Sequence, residues 1–383
     1  MVTSDVPTGL VADWRAMRTV ARVAGAFTAV AMIVLAGCSA QGSPSGSAGS
    51  PPQAPPQSSA GSTIAGVTED AATTGAANEA SLPKPPGQLV DVDGYLMHLY
   101  CLGEGGPTVL LEAGLGDISL MYRPLQEELA ATTRVCAYDR AGLGWSEPRG
   151  TPRTGEQMVA ELKMLLEEAG ETGPYVLAGH SLGGLIMLLF AEANPERVSG
   201  VVLIDSAHPR QDEAFAEFTW REVLDQESLA WMETMATSVA AGAIEPEEMA
   251  RLAPRHFLLE LRQQWTALYL EPHSHRTILE EAQAFPQTLN QVGGEGSLGD
   301  IPLVVVAAGH ALEKGMSGVD RQRFLITPDI VERYDSLWVE LQTEHLNRST
   351  NARLVVAENS AHYIYFDEPD VVIKAIRDLV AIQ

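Results

Sequence analysis

Gly179-His180-Ser181-Leu182-Gly183 is the stretch whose residue types and spacing can do chemistry. It lies between a strand-like run at 175–178 and a helical run at 182–194 that is apolar nearly all round and is stopped by Pro195. A serine on a sharp strand-to-helix turn needs small neighbours, because the strand and helix on either side approach each other closely. The turn lifts the hydroxyl above the sheet, and the helix N-terminus favours a developing oxyanion. Ser181 is therefore the candidate nucleophile for acyl transfer. His180, inside the same motif, reads as a packing residue.

In this context the motif resembles the nucleophile elbow of the α/β-hydrolase family. The resemblance covers most of the chain from residue 87 onward. It implies a mostly parallel, eight-stranded sheet with helices on both faces and a triad in the chain order serine, acid, histidine. His362, in Glu358-Asn359-Ser360-Ala361-His362 after the last strand-like run, stands where the family carries its general base. The acid has two candidates. The family's usual place, after the run at 303–307, holds no aspartate and offers Glu313 slightly late in register. Asp205, directly after the run at 201–204, is where some lipases of this fold carry the acid, and it is preferred over Glu313; its other reading is a helix or turn cap.

The same comparison places an oxyanion hole. Glu112-Ala113-Gly114-Leu115-Gly116 occupies the position of the family's His-Gly-x-Gly, with Ala113 in place of the histidine. Carried over position by position, the Leu115 N–H joins that of Leu182 as oxyanion donors. Because both are backbone groups, the missing histidine bears on loop packing rather than on the donors. Asp139-Arg140-Ala141-Gly142-Leu143-Gly144-Trp145-Ser146 resembles the family's D-x-x-G-x-G-x-S loop and reads as a turn-builder without chemistry.

The elements that must position these residues follow from periodicity. Strand-like runs fall at 88–92, 96–102, 108–112, 134–138, 175–178, 201–204, 303–307 and 353–356, and helical stretches separate most of them. A helix at 370–382 closes the domain. Between about 208 and 299 the alternation stops, and helix-like segments at 215–235 and 246–271 read as a cap over the serine. Trp220, Trp231, Trp265 and Tyr269 lie on it, mostly as packing. His273-Ser274-His275 lacks a carboxylate or cysteine cluster at ligand spacing, so no metal is expected. No cofactor is expected either.

The N-terminal part reads differently. Arg15, Arg18 and Arg22 precede the apolar residues 23–37, which end in Leu35-Ala36-Gly37-Cys38. Basic, apolar, small is the order of an export signal, and the run is shorter than the ~20 residues of a membrane span. Leu-Ala-Gly-Cys resembles the lipobox of bacterial lipoproteins, which implies a signal at 1–37, with Met17 as an alternative start, and an acylated Cys38 on the outer face of the membrane. Residues 38–86, rich in Ser, Gly, Pro and Ala, cannot bury a core and read as a flexible tether reaching ~40 Å. A formal net charge of −25 argues against nucleic-acid partners. The strand order of the α/β-hydrolases makes the second and fourth strands antiparallel neighbours, so the resemblance lets Cys101 and Cys136 meet as a disulfide; the alternative is two buried thiols.

The expected function is serine hydrolysis of a small-molecule ester. Amidase, peptidase or cofactor-free peroxidase chemistry on the same frame, and a non-catalytic lipoprotein binding module, are the alternatives. A serine nucleophile argues against epoxide hydrolase and dehalogenase chemistry, which uses aspartate in this fold.

Overall fold

The computed structural model describes residues 82–150, 152–293 and 296–382. The signal at 1–37, the alternative start Met17, the acylation site Cys38 and the tether as far as residue 81 lie outside the described residues. The chain is tied to the folded part before residue 87, since Trp145 Nε1 donates to the Pro83 carbonyl at 2.8 Å.

Eight strands build one sheet: β1 (Gln88–Asp91), β2 (Leu96–Leu102), β3 (Thr108–Glu112), β4 (Val135–Tyr138), β5 (Tyr175–His180), β6 (Val198–Ile204), β7 (Leu303–Ala308) and β8 (Ala352–Ala357). Their spatial order is β1-β2-β4-β3-β5-β6-β7-β8. The β1–β2 and β2–β4 pairings are antiparallel and the others parallel. Residues of β4, β5 and β7 are buried throughout. That is the physical meaning of their unbroken apolar runs: a parallel strand covered on both faces has no polar side to show.

The helices of seven residues or more are α1 (Arg123–Leu129), α2 (Gly155–Glu168), α3 (Leu182–Ala193), α4 (Trp220–Ala240), α5 (Leu259–Tyr269), α6 (Pro272–Val292), α7 (Pro328–Glu344) and α8 (Pro369–Ala381). α3 is buried on nearly every side, as its composition requires. Between β6 and β7 the described chain is helical, with two departures from the sequence reading. The expected segment at 246–271 is broken into a short Pro246–Ala250 turn and α5, with Pro254 between them where a continuous helix would lose a hydrogen bond. The stretch 272–292 is a helix of its own, with Pro272 at its start.

Cys101 lies opposite Cys136 in the β2–β4 register, and the two are joined in a disulfide. The parallel strands run the same way, so the loops after β3, β5, β6, β7 and β8 gather at one edge of the sheet. All the candidate site residues lie in those loops or at the strand ends that feed them. Ligands of open α/β sheets bind in the crevice outside these carboxyl ends.

Candidate active site

Ser181 links β5 to α3 with φ 54° and ψ −120°, a left-handed backbone that a non-glycine residue adopts only where its surroundings hold it there. Serine is a common N-cap, but Ser181 makes no cap hydrogen bond to its helix. Its hydroxyl is thus not committed to the helix. The flanking glycines are there for space. A β-carbon on Gly179 would overlap the Gly183 carbonyl, and one on Gly183 would overlap the Glu112 carbonyl of β3. Leu182 opens α3, so its N–H has no carbonyl one turn back to bond.

Asp205 follows β6 with φ 43°, the second strained non-glycine residue of the site. Its two oxygens do different things. Oδ1 accepts from Trp338 Nε1 at 2.7 Å and from the Ala308 N–H at 2.8 Å. Oδ2 lies 2.7 Å from His362 Nδ1. A carboxylate accepts, so Nδ1 carries the proton and Nε2 of a neutral ring presents its lone pair. That Nε2 is buried and has no hydrogen-bond partner among the described residues. Asp205 is 0% and His362 1% exposed, so neither bond competes with bulk water.

The structure thus brings Asp205, and not Glu313, to His362. Glu313 lies on a short turn after β7, half exposed, with its Oε2 2.7 Å from His310 Nδ1. His180 donates Nε2–H to the His362 carbonyl at 2.9 Å and lies ring to ring with His362 at 4.5 Å. Burial first, and the neighbouring His362 second, hold its pKa well below the usual range, so it is neutral. Trp265 and Tyr269 stack on each other at 3.9 Å and are buried.

The loop after β3 carries Leu115. Arg140, which the sequence reading left as part of a turn, holds this loop from beneath. Its Nη1 donates to the Ala113 carbonyl at 2.8 Å and to Glu112 Oε1 at 2.7 Å, and its Nη2 donates to the Gly114 carbonyl at 2.7 Å. Glu281 of α6 receives Arg140 through Nε at 2.7 Å and Nη2 at 2.8 Å. Glu281 Oε2 also accepts the Gly116 N–H at 2.9 Å, and Tyr269 donates to the Gly116 carbonyl at 2.6 Å. The Asp117 N–H bonds back to the Gly114 carbonyl at 3.1 Å. The Leu115 amide is not among those so engaged.

Two further acids border this loop. Burial raises Glu112 above the usual carboxylate range even though Arg140 opposes it. Asp117 is pushed up to about 7, chiefly by burial, with Arg140 lowering and Glu281 raising it. Sequence signals for these groups existed. Glu112 ends an apolar strand, and Glu281 sits in the apolar stripe of Ile278, Ala282 and Phe285; a carboxylate in either place requires a buried partner. Asp139 does behave as a turn-builder, accepting from the Ser119 N–H at 2.6 Å and the Trp145 N–H at 3.1 Å.

Residues 107–369, more than half of the chain, match the family described as the alpha/beta hydrolase fold. The chain belongs to that family. Among individual proteins, it is similar to the uncharacterized protein YqjL of Bacillus subtilis, at 27% identity over 75% of this chain and 89% of that one. Lipase LipV of Mycobacterium tuberculosis is 34% identical over a shorter stretch, 29% of this chain and 42% of that protein. The solved enol-lactonase of Burkholderia xenovorans LB400 superimposes with a TM-score of 0.52 at 18% identity, covering 76% of this chain and 99% of that one, a likeness of fold. The fold and its relatives make the chain one of the hydrolase class.

Proposed function

We propose that this protein is a serine hydrolase that cleaves small carboxylic esters by acyl transfer to water, anchored outside the cell membrane by acylated Cys38. The observation that carries the catalytic reading is the pairing of Asp205 with His362 Nδ1, which leaves the ring's Nε2 without a partner in a loop cluster that also holds Ser181 on a strained turn. In the proposed sequence, Ser181 Oγ attacks the ester carbonyl carbon and its proton passes to His362 Nε2. The tetrahedral oxyanion is held by the Leu115 and Leu182 N–H groups. Collapse expels the alcohol, which takes the proton from His362. Water then attacks the acyl-enzyme with His362 again as base, releasing the acid and restoring Ser181. None of these steps calls for a cofactor.

The similarity over 29% of the chain to a protein named as a lipase supports ester chemistry. A fluorophosphonate probe followed by peptide mapping tests the reading. The expected adduct is on Ser181, with turnover of short p-nitrophenyl esters that disappears in Ser181→Ala. Absence of both adduct and turnover in folded protein overturns it in favour of a binding module.

A further inference from the structure

We propose that Arg140 and Glu281 are positioning residues for the oxyanion loop, so that the helical insertion between β6 and β7 sets the angle of the Leu115 N–H toward the reacting carbonyl. The inference rests on the serine hydrolase reading above and assigns work to two residues outside its triad.

The loop after β3 contains two glycines around Leu115 and lacks the histidine its motif usually carries. Such a loop has many accessible backbone conformations unless something restricts it. Here four of its backbone groups are fixed by side chains: the Ala113 and Gly114 carbonyls by Arg140, the Gly116 N–H by Glu281 and the Gly116 carbonyl by Tyr269. Leu115 is bracketed between the Gly114 carbonyl and the Gly116 amide. The peptide planes on both sides of it are therefore fixed.

The guanidinium is used to capacity. It has five N–H donors, and the structure gives five bonds: two to Glu281, one to Glu112 and one to each of two loop carbonyls. Arg140 is 2% exposed, Glu112 1% and Glu281 0%. A planar fork with every prong engaged transmits the position of Glu281 directly to the loop. A lysine at 140 could not, because an ammonium carries no fixed plane. Glu281 and Tyr269 come from α6 and α5, whereas Glu112 and Arg140 come from the strand ends of the sheet. The hole is thus built jointly by the sheet and the helical insertion.

A buried ion pair that served only the folded state would be indifferent to the transition state. A positioning clamp is not, since a donor displaced by a fraction of an ångström binds the ground-state ester about as well and the oxyanion less well. The test is kinetic, on the full-length protein, using Glu281→Gln, Arg140→Lys and Tyr269→Phe. For variants with wild-type thermal melts, kcat on a p-nitrophenyl ester is expected to fall about 10- to 100-fold for Glu281→Gln and Arg140→Lys, with KM within about two-fold. Affinity for a trifluoromethyl ketone, whose hemiketal oxygen occupies the hole, falls in parallel, while affinity for the product acid does not.

Tyr269→Phe deletes one oxygen and no charge, so it keeps the test alive if the charged variants do not fold; a severalfold loss of kcat is expected. Unchanged kcat in folded variants overturns the proposal. So does a loss expressed in KM and in product-acid binding equally. If wild-type protein fails to label at Ser181, the hydrolase reading itself has failed, which this comparison keeps separate.

Discussion

Asp205 spends one oxygen on Trp338 and Ala308 and the other on His362, so its carboxylate is oriented before the imidazole is. In Asp205→Asn the Trp338 and Ala308 donors hold the amide oxygen, and the amide nitrogen must then face His362 Nδ1. A donor there forces the proton onto Nε2, where it cannot accept from Ser181. The expected loss is ~10⁴-fold in turnover with folding retained. Glu313→Gln changes a half-exposed residue paired with His310 and is expected to keep activity within a few-fold. Kinetics with parallel thermal melts decide it; a folded Asp205→Asn of normal activity removes Asp205 from the triad.

Asp117 supplies a pH dependence. It faces Arg140, Glu281 and Tyr363, with Tyr122, Tyr269 and Tyr365 close enough to feel its charge. Its pKa is raised from 3.8 to about 7, so it is protonated in acid and ionises as pH rises through neutrality. Ionisation places a negative charge two residues from Leu115, against the oxyanion. The same shift has a sign for folding. The folded chain keeps a proton that the unfolded chain loses, so the contribution to stability is fully present below about pH 4 and is lost by about pH 7. Asp117→Asn fixes the neutral form. Relative to wild type it is expected to gain kcat/KM above neutrality and to show a flatter dependence of the melting temperature between pH 4 and 7. Superimposable profiles above pH 7 would show that the carboxyl does not titrate there.

At the scale of elements, the strands were legible because five of the six parallel ones are apolar runs bounded by turn residues, and hiding from water on both faces leaves that record. Their ends were less so. β5 continues through Gly179 to His180, since the motif's first two residues still pair with β6. β6 begins at Val198, three residues before the run expected at 201–204, and its Gly200 leaves room for Leu379, which a β-carbon there would crowd. α7 was not among the helices expected from sequence, although Thr327 caps it through the Ile330 N–H, Pro328 opens it, and Val331, Tyr334, Trp338 and Leu341 form a buried stripe at helical spacing. Its Trp338 nevertheless decides how Asp205 points. The choice between Asp205 and Glu313 was open in sequence for this reason, since orientation depends on a contact between residues 133 positions apart. Arg140 has an ordinary local context, and Glu281 shows in sequence only as a carboxylate inside an apolar helical stripe; the packing of α6 on the loop after β3 is what makes the two a pair.

At the scale of the whole molecule, the proposed membrane attachment rests on the N-terminal residues and not on the hydrolase fold. No helix among the described residues is long and apolar enough to cross one. Residues 15–38 carry the features of an anchor signal: three arginines, a short apolar run, then Leu-Ala-Gly-Cys. The Cys101–Cys136 disulfide is consistent with an oxidising compartment, where such bonds persist. Stable attachment through acyl chains needs more than one of them, so the proposed anchoring requires that Cys38 carry several. A net charge of −25 supplies no electrostatic attraction to anionic lipids that could stand in for the acyl groups. Cys38→Ala is therefore expected to release the protein from membranes into the soluble fraction while its specific esterase activity stays within about two-fold of wild type, because residue 38 lies outside the stretch 107–369 that matches the hydrolase family. Fractionation of the producing cells, with a high-salt wash and an ester assay on each fraction, decides it. A variant that still pellets with membranes after the wash attaches by some route other than Cys38, and the lipoprotein reading is then wrong whatever the catalytic residues do.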